Sequence, residues 1–365
     1  MRSPLAIHLL AVAYSPTPIG IRPSKQQSLD FFTAEYRNIY MRDLPRMRHM
    51  GANTIRVYAL DGEASHLDFY DACHHYNISV IGSFGLEASQ YNLRDELSVM
   101  QAELNLRRQL DELRHGHPAV LMWMVGNELN LPSAGFLCDP HTHGMLIDDA
   151  PTCQFNGSEV ALLFGVVDRL CGIVHSFGYL CTTALAEFPL PASYAAPSAA
   201  AAARANGIGA PAWFSALDTV VRRVDVWSTN LYRPGGFGDW FYAYRSLSER
   251  PVVVSEYGVD SFDSGWGANS ECEWPPCRRM RENGAAQAQM LTRLTEQILR
   301  NTVTCVGNCD SHVTAGGVAF SWVDEWFKGE GPHGAHSNGP VSKRIQTHAL
   351  LSHALSTTEA RLAAC

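Results

Sequence analysis

Two kinds of apolar pattern alternate along the chain. One is a short, dense apolar block, rich in β-branched and aromatic residues and bounded by turn residues. Such blocks run over residues 5–13, 53–60, 79–85, 119–125, 179–187, 224–233, 251–258 and 316–326. A block of this kind reads as a strand buried on both faces. The other pattern is a longer stretch with apolar residues at helical spacing. These stretches cover residues 29–50, 65–76, 93–113, 159–177, 237–247 and 284–301, with a last one near 345–355. Strand blocks that alternate with helices predict a parallel sheet, and eight of them predict a closed (β/α)8 TIM barrel, an α/β fold. Such a barrel takes about 250 residues before insertions. The 365 residues therefore predict one decorated domain spanning 1–365. An Ala-, Pro- and Gly-rich stretch at 189–211 reads as an insertion, because strand blocks continue after it.

Barrels of this kind present functional side chains at the C-terminal ends of their strands. The fourth block is the clearest case. His117-Pro118 stops the preceding helix, since proline disfavours the helical region at the residue before it. An apolar run follows and ends in Gly126-Asn127-Glu128. The seventh block repeats the design: Val252-Val253-Val254-Ser255 leads into Glu256-Tyr257-Gly258. Two carboxylates at the same end of two buried strands are a candidate pair, Glu128 and Glu256. Arg56 lies inside the second block, where an unpaired charge would be costly. It is expected at the barrel mouth, hydrogen-bonded to the strand-seven carboxylate.

Composition narrows the function. Hydrophobic residues make up 46% and charged residues 18%, a globular balance, and the net charge is −8. That leaves no basic footprint for nucleic acid and suits a neutral substrate. No stretch is long and apolar enough to span a membrane. The run 5–13 has the apolar character of a leader, but it flows directly into Tyr14-Ser15-Pro16 and is read as strand one; a native leader is expected to precede it. Ten cysteines are many for a reducing compartment. The pairs Cys138/Cys153, Cys272/Cys277 and Cys305/Cys309 lie in polar segments and read as disulfides of a secreted or cell-surface protein. Cys138 is expected to bond Cys153. Cys73, Cys171 and Cys181 lie in predicted helices or strands and read as buried free thiols. The triplets beginning at Asn77 and Asn156 match the glycosylation sequon. His141 and His143 form a His-x-His pair without an acidic partner at defined spacing, so a polar loop is the reading, and no metal or cofactor is expected.

These motifs resemble clan A glycoside hydrolases over nearly the whole chain. The stretch from Gly51 to Tyr58 and the segment Ser255-Glu256-Tyr257-Gly258 are similar to the fungal β-1,3-glucanosyltransferases of family 72. His117 through Glu128 and Trp322-Val323-Asp324-Glu325-Trp326 are similar to family 2-like catalytic barrels. The resemblance implies a retaining β-glycosidase or transglycosidase, with a β-glucan as favoured substrate. It makes Glu128 the acid/base and Glu256 the nucleophile. Asn127 then contacts the sugar 2-hydroxyl, Tyr232 holds the nucleophile and Trp322 floors the reacting sugar. Tyr58, Tyr14, Asp324 and Glu325 complete the expected substrate contacts, with Tyr257, Trp266 and Trp326 as further stacking surfaces. Family 72 proteins usually carry C-terminal modules or a lipid-anchor signal, and neither is read in this sequence. The competing readings are a hydrolase of another β-linked glycan (mannan, galactoside or glucuronide), a non-catalytic carbohydrate-binding barrel, and a metal-dependent hydrolase using His141, His143, His333 and His336.

Overall fold

The computed structural model describes residues 8–21, 30–130, 136, 157–186, 217–218, 220–233, 235–259, 262–263, 281–304 and 310–323. Eight parallel strands close into a barrel: β1 (Leu9–Ala13), β2 (Thr54–Arg56), β3 (Ser79–Phe84), β4 (Val120–Val125), β5 (Leu180–Ala186), β6 (Val226–Asn230), β7 (Val252–Tyr257) and β8 (Thr314–Ala319). Each pairs with its neighbours in sequence, and β8 returns to β1 with Gly316 opposite Leu9. Six helices are described between them: α1 (Arg37–His49), α2 (Leu67–His75), α3 (Glu96–Asp111), α4 (Gly157–Ser176), α5 (Trp240–Arg245) and α6 (Gly284–Arg300). Asp95 and Asn283 begin α3 and α6 by accepting bonds from Leu97 N and Ala286 N, the usual means of satisfying free amides at a helix start.

The strands divide their side chains between two cores. Leu9, Ala11, Ala13, Met122, Met124 and Val253 fill the barrel interior. Leu10, Val12, Trp123, Val125, Val252 and Val254 belong to the larger layer shared with the helices. The period of two is that of any strand. Small residues inside suit an eight-stranded barrel, whose bore is just wide enough for side chains to fill. A Cβ on Gly82 would lie 2.4 Å from the Trp123 ring, so glycine in β3 is what admits that indole beside it.

Several elements are shorter than the apolar pattern predicts. The first helix begins at Arg37 after a 3-10 turn at Ala34–Tyr36, not at Leu29. Asp30 turns the chain ahead of it by accepting from Phe32 N at 3.0 Å. Strand two leaves the ladder after Arg56, and strand eight after Ala319. In both cases the residues beyond become the rim of the mouth. The cysteine expectation is corrected as well. Cys73 is buried and free, but Cys171 and Cys181 form a disulfide. The end of α4 packs on the start of β5 and brings their Cα atoms to 5.4 Å, inside the range a bridge can span. The sequence places these two in separate elements and does not show that the elements touch. Cys138, Cys153, Cys272, Cys277, Cys305 and Cys309, the insertion at 189–211 and the last predicted helix lie outside the described residues.

A buried charge cluster ties the first three β/α units together. His66, 2% exposed, precedes α2 and sits between Asp30 Oδ2 at 2.6 Å and Glu112 Oε1 at 3.2 Å, just beyond α3. Burial alone would lower the imidazole pKa. The hydrogen bonds and charges of Asp30 and Glu112 outweigh it and push the value from 6.5 up to about 9. A folded-state pKa above the unfolded one means stability that is fully present below about pH 6.5 and lost as pH rises through about 9. The loss should be on the order of 3 kcal/mol. Urea midpoints measured from pH 6 to 10 should fall across that window in the unaltered chain and stay flatter in His66→Gln.

Candidate active site

Strand β4 ends in a sharp turn. Gly126 has φ 76° and Glu128 φ 51°, both left-handed. A Cβ on Gly126 would lie 2.7 Å from the Leu129 side chain, so the turn closes tightly over itself. A non-glycine residue in that region is uncommon and is often found where function over-determines the backbone. Here the turn sets Asn127 and Glu128 at the mouth.

Strand β7 reaches the mouth by a different device. Val252 and Val254 face the helices and Val253 the interior, so strict alternation would send Glu256 outward. The register with both neighbours shifts after Val254. Tyr257 takes the outward place, its hydroxyl 2.8 Å from Thr295 on α6. Glu256 is thereby freed to face the mouth. A bulge that re-aims a side chain is a recurrent feature beside active sites.

Arg56, at the end of β2, meets these two strands. It is fully buried. Its Nη1 donates to Glu256 Oε1 at 3.0 Å, to the Ser255 carbonyl at 2.8 Å and to Asn230 Oδ1 at 3.3 Å. Its Nη2 donates to Asn127 Oδ1 at 2.7 Å. Tyr58 lies against the guanidinium, 4.3 Å from Cζ to the ring centroid, and donates to Glu256 Oε1 at 3.0 Å. Tyr232 donates to the other oxygen, Oε2, at 2.8 Å. Burial first, then the neighbouring Glu256 charge and hydrogen bond, hold the Tyr232 hydroxyl far above its ordinary pKa, so it remains a donor. The carboxylate therefore receives one guanidinium and two phenols, and both of its oxygens are used as acceptors.

The second carboxylate joins through Asn230 at the end of β6. Asn230 Nδ2 donates to Glu128 Oε1 and to Asn127 Oδ1, each at 3.1 Å. Its Oδ1 accepts from Ser255 Oγ at 2.8 Å as well as from Arg56. One amide thus links Glu128 to the group around Glu256. Asn230 ends β6 two residues before Tyr232, much as Asn127 follows β4, and no sequence pattern marks it as part of the site. Phe320 is likewise unmarked, and its ring stands edge-on to Tyr58 and Tyr232 with centroids 6.2 and 6.4 Å away.

Of the residues expected at the site, the structure brings together Arg56, Tyr58, Asn127, Glu128, Tyr232 and Glu256. Tyr14 is not among them, and this corrects the expectation. It continues the outward face of Leu10 and Val12, is fully buried, packs edge-on to Phe32 and donates to Asp43 Oδ2 on α1 at 3.0 Å. Tyr257 is turned to α6 and is likewise not a stacking surface. Trp322 is 5% exposed and donates its backbone N–H to the Ala13 carbonyl at 2.9 Å, just past the end of β1. Asp324, Glu325, Trp326, Trp266, His141, His143, His333 and His336 lie outside the described residues. Among the described residues no cluster of three or more His, Cys, Asp or Glu is placed to hold a metal ion, and no helix is long and apolar enough to cross a membrane.

No protein-family model matches the chain, and no curated protein matches it in sequence. Solved structures do resemble it. Saccharomyces cerevisiae Gas2p in complex with laminaritriose and laminaritetraose superposes with a TM-score of 0.54 at 15% identity, over 96% of this chain and 64% of that one. A Gas2p mutant in complex with laminaritetraose and laminaripentaose gives 0.55 at 14% identity, over 96% and 63%. A GH2 β-galacturonidase from Eisenbergiella tayi bound to galacturonate gives 0.53 at 14% identity, over 97% and 51%. The (β/α)8 barrel is the shared fold. This chain spans less than two thirds of the length of those proteins.

The arrangement makes a stability prediction that is independent of any activity. Removing one partner of a buried ion pair costs about 3–5 kcal/mol, because the other charge stays behind. Arg56→Met should therefore lower the urea-unfolding free energy by that amount. Arg56→Met combined with Glu256→Gln should recover a large part of it, read as a double-mutant cycle. Additive losses would show that the two groups do not interact.

Proposed function

We propose that this chain is a retaining β-glycosidase or transglycosidase, with β-1,3-glucan as the favoured substrate. The observation that carries the reading is the pair of strand-end carboxylates in unlike surroundings. Glu256 is held by Arg56, Tyr58 and Tyr232, and Glu128 is joined to it through Asn230. Double displacement needs this division of labour. Glu256, fixed on both oxygens, is the nucleophile that attacks the anomeric carbon. Glu128 first gives its proton to the departing oxygen, then takes one from the incoming water or sugar hydroxyl. Asn127, held by Arg56 Nη2, is positioned to meet the sugar 2-hydroxyl. Trp322, Asp324 and Glu325 are further proposed substrate contacts. The β-1,3-glucan preference rests on the family 72 motifs and on the laminari-oligosaccharides bound by the Gas2p structures. The buried Cys171–Cys181 disulfide and the exposed Asn77 sequon support a secretory origin. The single-domain reading of 1–365 is part of the same proposal.

The test is kinetic. Glu256→Gln should remove nearly all turnover of any β-glycoside substrate. Glu128→Ala should lower kcat on oligosaccharides by about 10²–10⁴-fold, the usual worth of a general acid, with azide restoring turnover of an activated aryl glycoside. Full activity in Glu256→Gln would remove the assignment. Proton NMR of the first product should show the anomer of the substrate.

Hydrolysis and transfer share the intermediate and differ in what attacks it. A time course on laminarihexaose should show products longer than six units if a sugar is the acceptor. Only shorter products at high substrate concentration would leave a hydrolase.

A further inference from the structure

The side-chain amide of Asn230 has only one way to stand. Its Oδ1 accepts from Arg56 Nη1 at 3.3 Å and from Ser255 Oγ at 2.8 Å. Turning the amide over would bring its NH2 group against both donors. The Ser255 hydroxyl could rotate and accept, but a guanidinium carries donors only and stays charged. Arg56 and Ser255 are fully buried and Asn230 is 3% exposed, so an N–H set against an N–H there would keep the full cost of a lost bond. The orientation is set by the chemistry of the neighbours.

This has a consequence at the other end of the amide. Nδ2 must face the turn after β4, where it donates to Glu128 Oε1 and Asn127 Oδ1, each at 3.1 Å. Asn127 Oδ1 is held in turn by Arg56 Nη2 at 2.7 Å. Glu128 sits on left-handed backbone in that turn, and Asn230 ties it to the last residue of a buried strand. An N–H aimed at a carboxylate favours the ionised form. The negative charge of Glu256, one amide away, pushes the other way. A group that must give a proton in one step and take one in the next works best between these extremes. With Oε1 engaged as an acceptor, the proton that Glu128 exchanges belongs on Oε2.

We infer that Asn230 is a positioning residue for the proton of Glu128: locked by Arg56 and Ser255, its N–H holds Oε1, leaves the exchangeable proton to Oε2 and lowers the pH at which that proton is given up. The inference rests on the proposed function only for what the proton does in catalysis.

The first test needs no turnover. The chain is labelled with 13C at the glutamate side-chain carboxyl, and the Glu128 signal is assigned by its loss in Glu128→Gln. Its titration midpoint should rise by about one pH unit in Asn230→Ala, which removes the N–H. It should rise further in Asn230→Asp, which sets a second carboxylate against Oε1. Asn230→Asp keeps the volume and gives Arg56 an acceptor, so it serves even where the alanine variant does not fold. Ser255→Ala should move the midpoint less, because Arg56 still holds the amide. An unmoved midpoint in folded Asn230 variants would overturn the inference.

The second test is kinetic. Asn230→Ala should lower kcat/KM about tenfold on phenyl β-laminaribioside, whose leaving group needs the proton, a fraction of the whole worth of a general acid. On 2,4-dinitrophenyl β-laminaribioside, whose leaving group does not, the rate should stay close to that of the unaltered chain. Equal losses on both would mean a merely structural role and would also overturn it. A chain whose midpoint moves but which cleaves neither substrate keeps the Asn230 link and loses the glycosidase reading. One that cleaves both with an unmoved midpoint does the reverse.

Discussion

A guanidinium sealed inside a protein is tolerable only if its charge and its N–H groups are met. Arg56 is sealed and still has one N–H, Nε, without a partner. The strand ends around it answer the rest. Glu256 supplies the counter-charge, Asn127, Asn230 and the Ser255 carbonyl accept its other bonds, and Tyr58 covers its face. Each of these groups is placed where it is partly because Arg56 must be satisfied. Conversely, Arg56 fixes where the second carboxylate stands. The mouth of the barrel is therefore one coupled polar network, and its parts cannot be exchanged singly at low cost.

The closed sheet is what makes such a network affordable in geometry. Arg56, Asn230 and Glu256 come from β2, β6 and β7 and Asn127 from the turn just after β4; these are far apart in sequence and converge only because the barrel closes. Two local departures from regular strand geometry finish the job. The left-handed residues after β4 present Asn127 and Glu128 together, and the register shift in β7 turns Glu256 in and Tyr257 out. Regular strands would have delivered the chain to the mouth with some of these side chains pointing into the helical layer.

Much of this was legible in the amino-acid sequence because it depends on burial along strands. Dense apolar blocks marked the eight strands, and polar residues closing two of them marked Glu128 and Glu256. Arg56 stood out because a charge inside a buried strand demands a partner. What stayed hidden depends on direction and contact. Tyr14 and Tyr58 both follow a buried strand, but Tyr14 falls on the outward register and Tyr58 leaves the ladder before it is reached. No pattern distinguishes them when both strand faces are apolar. Glu256 and Tyr257 are adjacent, and only the bulge decides which of the two faces the mouth. Cys171 and Cys181 looked like ordinary core thiols because their pairing belongs to the contact between α4 and β5, not to either segment. Asn230 was overlooked because an amide at a strand end is a common loop signal, and its importance comes from what stands opposite.

The same distinction bears on how such a protein diverges. Every described group that touches Glu256 or Glu128 sits on a strand or within two residues of its end. The described groups that brace the β/α units, among them His66 with Asp30 and Glu112 and the Cys171–Cys181 disulfide, act outside the bore. Loops between these positions can lengthen, shorten or change composition without moving the network, since loop closure adds cost only slowly with length. The demand of a buried guanidinium for its partners holds the mouth as it is.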